Sequence, residues 1–145
     1  MIEDSFMSVV DDPNSAYSVL FEDDGKVAYA YLRDGTKVVG DVWIYNCGPA
    51  PETAEWTLPD ARSRMPFANP AGYAVDELPP DIHEPSDVSC RWTHDGEGLA
   101  FVEVLLNGVV FARLQPGSSP GWSRLARRDG PNAKVLTSLD DEGTT

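Results

Sequence analysis

Residues 17–45 read YSVLFEDDGKVAYAYLRDGTKVVGDVWIY, and the fold turns on how that stretch is divided. Three apolar-rich runs are separated by Asp24-Gly25 and Asp34-Gly35. An Asp-Gly pair supplies the positive φ that a tight hairpin turn requires, so the pattern predicts three antiparallel strands in a meander. Tyr17, Val19 and Phe21 share one face of the first run, and in the second Tyr29 and Tyr31 lie opposite Ala28, Ala30 and Leu32. The third run is apolar on both faces, with Val42 and Ile44 on one and Trp43 and Tyr45 on the other. That predicts a strand that is central or covered on both sides, and Gly40-Asp41 within it marks a candidate bulge.

A second pattern follows at residues 87–116, DVSCRWTHDGEGLAFVEVLLNGVVFARLQP, with turns at Asp95-Gly96 and Asn107-Gly108. Setting Asp24-Gly25 on Asp95-Gly96 aligns Phe21 with Trp92 and Ala28-Tyr29-Ala30 with Leu99-Ala100-Phe101. The second turn then needs two more residues than the first, since Asn107 lies 12 positions beyond Asp95 and Asp34 lies 10 beyond Asp24. Duplication and convergent hairpin chemistry account for this pseudo-repeat equally well. The expected fold is mainly β, two three-stranded antiparallel meanders forming a sandwich or half-barrel with little helix.

Between the meanders, residues 46–87 hold 8 of the 12 prolines. Proline removes ladder donors and disfavours helix in the residue before it, so regular structure there should be brief, a single helical turn at Glu52 to Trp56 at most. Trp56, Met65, Phe67 and Tyr73 nevertheless imply that this connection packs against something. A long connection inside a compact domain is often functional, which makes it the first choice for a site. The chain divides, as one domain over 1–145, into a flexible N-terminus (1–16), first meander (17–45), Pro-rich connection (46–87), second meander (88–115) and C-terminal segment (116–145). In that last segment Gly121 to Arg124 reads as a short edge strand, or Ser123 to Arg128 as a helical turn, and the tail DDEGTT as frayed.

Charge narrows the partners. The 24 acidic residues against 11 basic give a formal net charge of -13, which repels nucleic acid and anionic membranes and steers basic partners inward. Acidity that merely keeps the chain soluble is the plainer reading of the same number. Arg113, Arg124, Arg127, Arg128 and Lys134 form a local exception, readable as an offset to nearby acids or as an anion site. No run is long and apolar enough for a membrane helix, and the acidic N-terminus lacks a secretory pattern, so a cytoplasmic location is the default expectation. Cys47 and Cys90 have no metal-ligand or redox spacing and are expected to be reduced.

Chemistry-bearing motifs are scarce. No P-loop, GxSxG, HExxH or dinucleotide fingerprint occurs, and no cofactor or metal is called for. His83 with Asp81 and Glu84 has no recognised ligand spacing, and Asp23-Asp24-Gly25 is explained by its turn rather than by calcium.

The strings YSVLFEDDGKVAYAYL, VVGDVWIYN and CRWTHDGEGLAFVEVLLNGVVFARL resemble a family of small bacterial proteins that share a conserved domain of unknown function, marked by FEDDG and WxxDG hairpin motifs. The likeness covers roughly residues 17–46 and 88–115 and implies a bacterial cytosolic protein, with no activity attached. WTHDGEGLAFVEV also looks like one strand pair of a TolB-like propeller blade, over about a dozen residues, and two copies are too few to make a propeller.

These features point to a non-enzymatic protein-binding module, most plausibly an immunity protein that occludes the basic cleft of a toxin. The expected contacts are Trp56 and Tyr73 as aromatic anchors with Asp60, Asp76, Glu77, Asp81 and Glu84 as acidic contacts, although core packing explains each aromatic singly. The alternatives are a small-ligand binder or hydrolytic enzyme with a pocket between the meanders, using His83 or His94, and a structural subunit marked by an exposed apolar patch.

Overall fold

The computed structural model describes residues 6–77 and 79–136. Two antiparallel sheets are built from consecutive strands. The first runs β1 (Phe6–Asp11), β2 (Tyr17–Asp23), β3 (Val27–Asp34) and β4 (Lys37–Asn46), and the second β5 (Val88–Asp95), β6 (Gly98–Leu106), β7 (Val109–Leu114), β8 (Trp122–Ser123) and β9 (Lys134–Val135), with only the β8–β9 pair parallel. β1 lies against β5, and β4 against β7 and β8, so the sheets face one another as a sandwich. The mainly β reading with little helix is therefore right.

Each meander is longer than expected. The N-terminal stretch read as flexible contributes β1 from Phe6 onward, because Phe6, Ser8 and Val10 turn toward the core and Phe6 packs edge-on against Phe21 at 5.9 Å. Beyond the second meander, Gly121 to Arg124 holds the short strand β8 rather than a helical turn, but not at the expected sheet edge, because β9 pairs with its other side. The tail DDEGTT lies outside the described residues.

The turns follow their chemistry with one exception. Gly25 has φ +92° and Gly35 φ +63°, while Asn107 (φ 53°) and Gly108 (φ 81°) are both positive, as a type I′ turn requires. In the Asp95 turn the positive φ falls on Gly98 at 124° instead of Gly96. A bulge at Ala100 then shifts the register, so that Trp92 pairs with Val102 where Phe21 pairs with Ala30. The pseudo-repeat therefore holds through the turn and slips by one residue beyond it.

Alternation buries one face of each sheet. Val19, Phe21, Ala30, Leu32 and Val42 from the first, and Val102, Val104, Leu106, Ala112 and Leu114 from the second, are wholly inaccessible to solvent. Burying a Phe or Leu side chain contributes roughly 1.5–3 kcal/mol, so these side chains hold the sheets together.

β4 is last in its sheet, yet Trp43, Ile44 and Tyr45 are all buried. It bulges at Val39, beside Gly40, and again at Ile44. Its far edge is bonded by the C-terminal segment: Gly117 N–H donates to the Val39 carbonyl (2.7 Å), Asp41 N–H to Ser118 (3.0 Å), Gly121 N–H to Asp41 (2.7 Å) and Trp43 N–H to Asn132 (2.9 Å). Gly40 and Gly121 allow this approach, because a Cβ on Gly121 would collide with the Arg113 carbonyl and one on Gly40 would crowd the Ser118 carbonyl.

At the opposite end of the sandwich, Asp12 ties the β1–β2 turn to β5. Its carboxylate accepts from Ser15 Oγ (2.6 Å) and Asn14 N–H (3.0 Å), and lies 2.6 Å from His94 Nε2. Burial raises the Asp12 pKa, but the bonds from Ser15, Asn14 and His94 outweigh it and leave the group below its usual value of 3.8. Because the folded value is the lower one, the stabilisation is complete above the unfolded pKa and is lost as pH falls through the folded one. Asp12→Asn is expected to lower stability by about 2 kcal/mol at pH 7, with the difference from the parent shrinking below about pH 4. Urea unfolding at the two pH values measures this, and an unchanged difference at low pH would contradict it.

Candidate functional site

The Pro-rich connection is ordered and packs beside the first sheet. A 3-10 turn at Glu55–Thr57, helix α1 (Ala61–Arg64) and a second 3-10 turn at Pro85–Asp87 are its helical pieces among the described residues, so the expected turn lies a little later than Glu52 to Trp56. Its anchor is Glu55, which is 7% exposed and accepts from Lys26 Nζ and from Ala68 N–H, each at 2.9 Å. The chain is held further by Tyr29 Oη donating to the Phe67 carbonyl (2.8 Å), and by Asn46, whose amide donates to the Asn69 carbonyl (2.8 Å) and accepts from Asn69 N–H (2.9 Å).

Residues 71–77 then run along the C-terminal segment. Val75 N–H donates to the Leu125 carbonyl (2.8 Å), Arg127 N–H to Tyr73 (2.7 Å), and Ala74 bridges to Ala126. Between this strip and the end of β4 lies a cleft of about 850 Å³. Trp43, Tyr45, Val75 and Leu125 give it apolar walls, and Asp76, Glu77 and Arg127, all exposed, contribute its charges. A cleft of this size and lining accommodates a small ligand or the side chains of a protein segment.

Of the seven residues expected to bind, only Asp76 and Glu77 line this cleft. Trp56 and Tyr73 are half-buried and pack edge-on against each other at 5.6 Å, with Phe67 6.1 Å from Trp56 and the Arg128 guanidinium 4.4 Å from the Tyr73 ring. These aromatics pack on one another within the connection, where edge-to-face contact adds to the burial of their rings. Asp60 is exposed and bonded to Arg64 Nε at 2.9 Å, which holds its carboxyl below the usual value. Asp81 lies 3.1 Å from His83, and Glu84 caps the Pro85–Asp87 turn. Of the acidic contacts, Asp76 and Glu77 are the two that the fold brings together at the cleft.

Neither histidine lines the cleft, which sits beside β4 and not between the meanders. Ser15 bonds Asp12 rather than His94, and among the described residues no hydroxyl is bonded to His94. Among the described residues no group of three or more His, Cys, Asp or Glu could hold a metal ion, and no helix is long and apolar enough to cross a membrane.

The sequence reading missed Asp23, Tyr45 and Cys47 at the end of the cleft strand. Tyr45 Oη donates to Asp23 (2.7 Å) and the Cys47 thiol to the same carboxylate (3.1 Å), while burial and then the Asp23 bond raise the Tyr45 pKa. Asp23 had a sufficient local role, since it also accepts Gly25 N–H at 2.9 Å, so nothing in the sequence marked the longer-range contacts.

No protein-family model, curated protein or solved structure matches this chain.

Both cysteines are free thiols, as expected. Burial pushes the Cys90 thiol up to about 12, which leaves on the order of 10⁻⁴ of it as thiolate at pH 8. Cys90 is therefore expected to resist iodoacetamide in the native protein at pH 8 and to react once urea is added, as read by mass spectrometry. Rapid native labelling would contradict its burial.

Proposed function

We propose that this protein is a non-enzymatic binding module whose cleft beside β4 receives a basic segment of a protein partner, in the manner of a cytoplasmic bacterial immunity protein that neutralises a toxin. The observation that carries the reading is the cleft itself, apolar in its walls and bearing Asp76 and Glu77 on a chain of net charge -13. A Lys or Arg side chain entering it would lay its aliphatic stem on Trp43, Val75 or Leu125 and meet carboxylates at its charged end. The net charge would also speed encounter with a basic partner, an effect that weakens as salt rises.

A second reading, a small-ligand binder, is favoured by the cleft volume of about 850 Å³, which falls within the range of small-molecule sites. The two differ in what Asp76 and Glu77 do: a neutral small ligand on the apolar walls would be indifferent to them.

Co-expression with the product of the reading frame immediately upstream should relieve any toxicity of that product and give a complex that survives size-exclusion chromatography. Asp76→Lys with Glu77→Lys is expected to weaken that complex at least ten-fold, roughly 1.4 kcal/mol. Persistent toxicity with no complex would end the immunity reading.

A further inference from the structure

The outer face of the first sheet is a second surface, and the register defines it. Three cross-strand rows point away from the core: Asp11, Ser18, Arg33 and Val38; Val9, Leu20, Tyr31 and Asp41; Met7, Glu22, Tyr29 and Trp43. The connection reaches only the Tyr29–Trp43 end, where Tyr29 Oη donates to the Phe67 carbonyl and the two side chains are 7% and 1% exposed. Of the remainder, Ser18 is buried and the other side chains are exposed or half-buried.

Met7, Val9 and Val38 are 57%, 50% and 52% exposed, and these three of the five exposed large apolar side chains among the described residues all lie on this one face. Leu20 and Tyr31, both half-buried, continue the apolar surface between them. Apolar side chains scattered singly need no explanation, but a contiguous group on one sheet face marks an interaction surface.

Carboxylates border it. Asp11, Glu22 and Asp41 occupy the three rows, against Arg33 alone of opposite sign, whose Nε donates to Ser18 Oγ at 3.2 Å. Burial pushes the Tyr31 phenol up to about 12, and the charges of Glu22, Asp41 and Asp24 push in the same direction. An apolar centre within a charged rim is the usual anatomy of a protein interface.

The charge pattern selects the occupant. A two-fold dimer through this face would set two copies of Asp11, Glu22 and Asp41 against each other within one contact, on chains of net charge -13 each, so a second copy is disfavoured. Phosphate backbones and anionic lipid are repelled for the same reason. Among the described residues no strand pairs with the outer side of β1, so the apolar row continues to a sheet edge where a partner's main chain can bond.

We propose that this face docks a basic protein that presents aliphatic side chains flanked by Lys or Arg. The proposal rests on the binding-module reading, but the open part of this face shares no residue with the cleft, Trp43 lying at its covered end. It assigns the larger, flat part of the contact to the first sheet and leaves to the cleft the insertion of a basic side chain.

The test uses the full chain and two probes. By calorimetry the protein should bind a peptide with a Val-Leu centre and a Lys pair at each end, and should not bind the same peptide with Glu in place of Lys. Val9→Lys and Met7→Lys, both at exposed positions and checked by thermal melting for retained folding, should each weaken binding at least ten-fold. Absence of binding, equal binding of the Glu peptide, or indifference to Val9→Lys overturns the proposal. So does concentration-dependent dimerisation that Val9→Lys abolishes, since the occupant would then be a second copy. In the complex with the upstream product, weakening by the Asp76 and Glu77 changes with none by Val9→Lys would overturn this surface while leaving the binding-module reading in place.

Discussion

The edge of β4 constrains the rest of the molecule. Its side chains from Val42 to Tyr45 are apolar on both faces and buried, so the strand cannot sit with its outer main-chain groups in water. Buried N–H and C=O groups left without partners would each be penalised by about 1–3 kcal/mol. The segment 117–132 supplies the missing partners, and in doing so carries the chain from the second sheet across to the first. That crossing fixes where residues 123–127 lie, and residues 71–77 pair with them in turn. The cleft is a by-product of this chain of satisfactions: it exists because one buried edge needed a cover and the cover could then bond a further strip.

Charge is sorted between the two sheets by the same architecture. One cross-strand row on the outer face of the second sheet carries Arg91, Glu103, Arg113, Trp122 and Lys134. Glu103 is only 2% exposed, with Arg91 Nε 2.6 Å and an Arg113 nitrogen 3.7 Å from its carboxylate oxygens. Arg113 also covers Phe101 at 4.3 Å, and Lys134 lies 4.8 Å from the centre of Trp122. Arg124 donates to the Val110 carbonyl at 2.7 Å. The basic C-terminal segment is thus largely engaged with rings, a buried carboxylate and a carbonyl, an arrangement that explains its sign without invoking an anion site. The carboxylates of the first sheet and of Asp76 and Glu77 are left to set the character of the other side.

How much was legible follows from the range of each interaction. The hairpins at Asp24-Gly25, Asp34-Gly35 and Asn107-Gly108 were readable because turn chemistry acts over two residues, and the double-sided burial of Trp43 and Ile44 because alternation shows within the strand. Within the N-terminus expected to be flexible, Phe6 through Asp11 form a strand instead, because their pairing depends on β2 being there to receive it. Asp76 and Glu77, expected as acidic contacts, line the cleft, while Trp56 and Tyr73, expected as anchors, pack on each other, which a sequence does not show because it gives an aromatic without its neighbours. Glu55 carried no local mark at all, its partners being Lys26 and the main chain of Ala68.

By itself, then, the sequence determined the meanders, their turns, the acidity and the long connection, since all of these arise from backbone preference, side-chain period and composition. Tertiary structure alone decided that the meanders would grow to four and five strands, that the connection would lie beside β4, and that Asp76 and Glu77 would meet Trp43 and Leu125 at a cleft. Those outcomes depend on which buried main-chain and side-chain groups remain to be satisfied once the sheets have packed. That demand is set by residues tens of positions apart, and no local pattern encodes it.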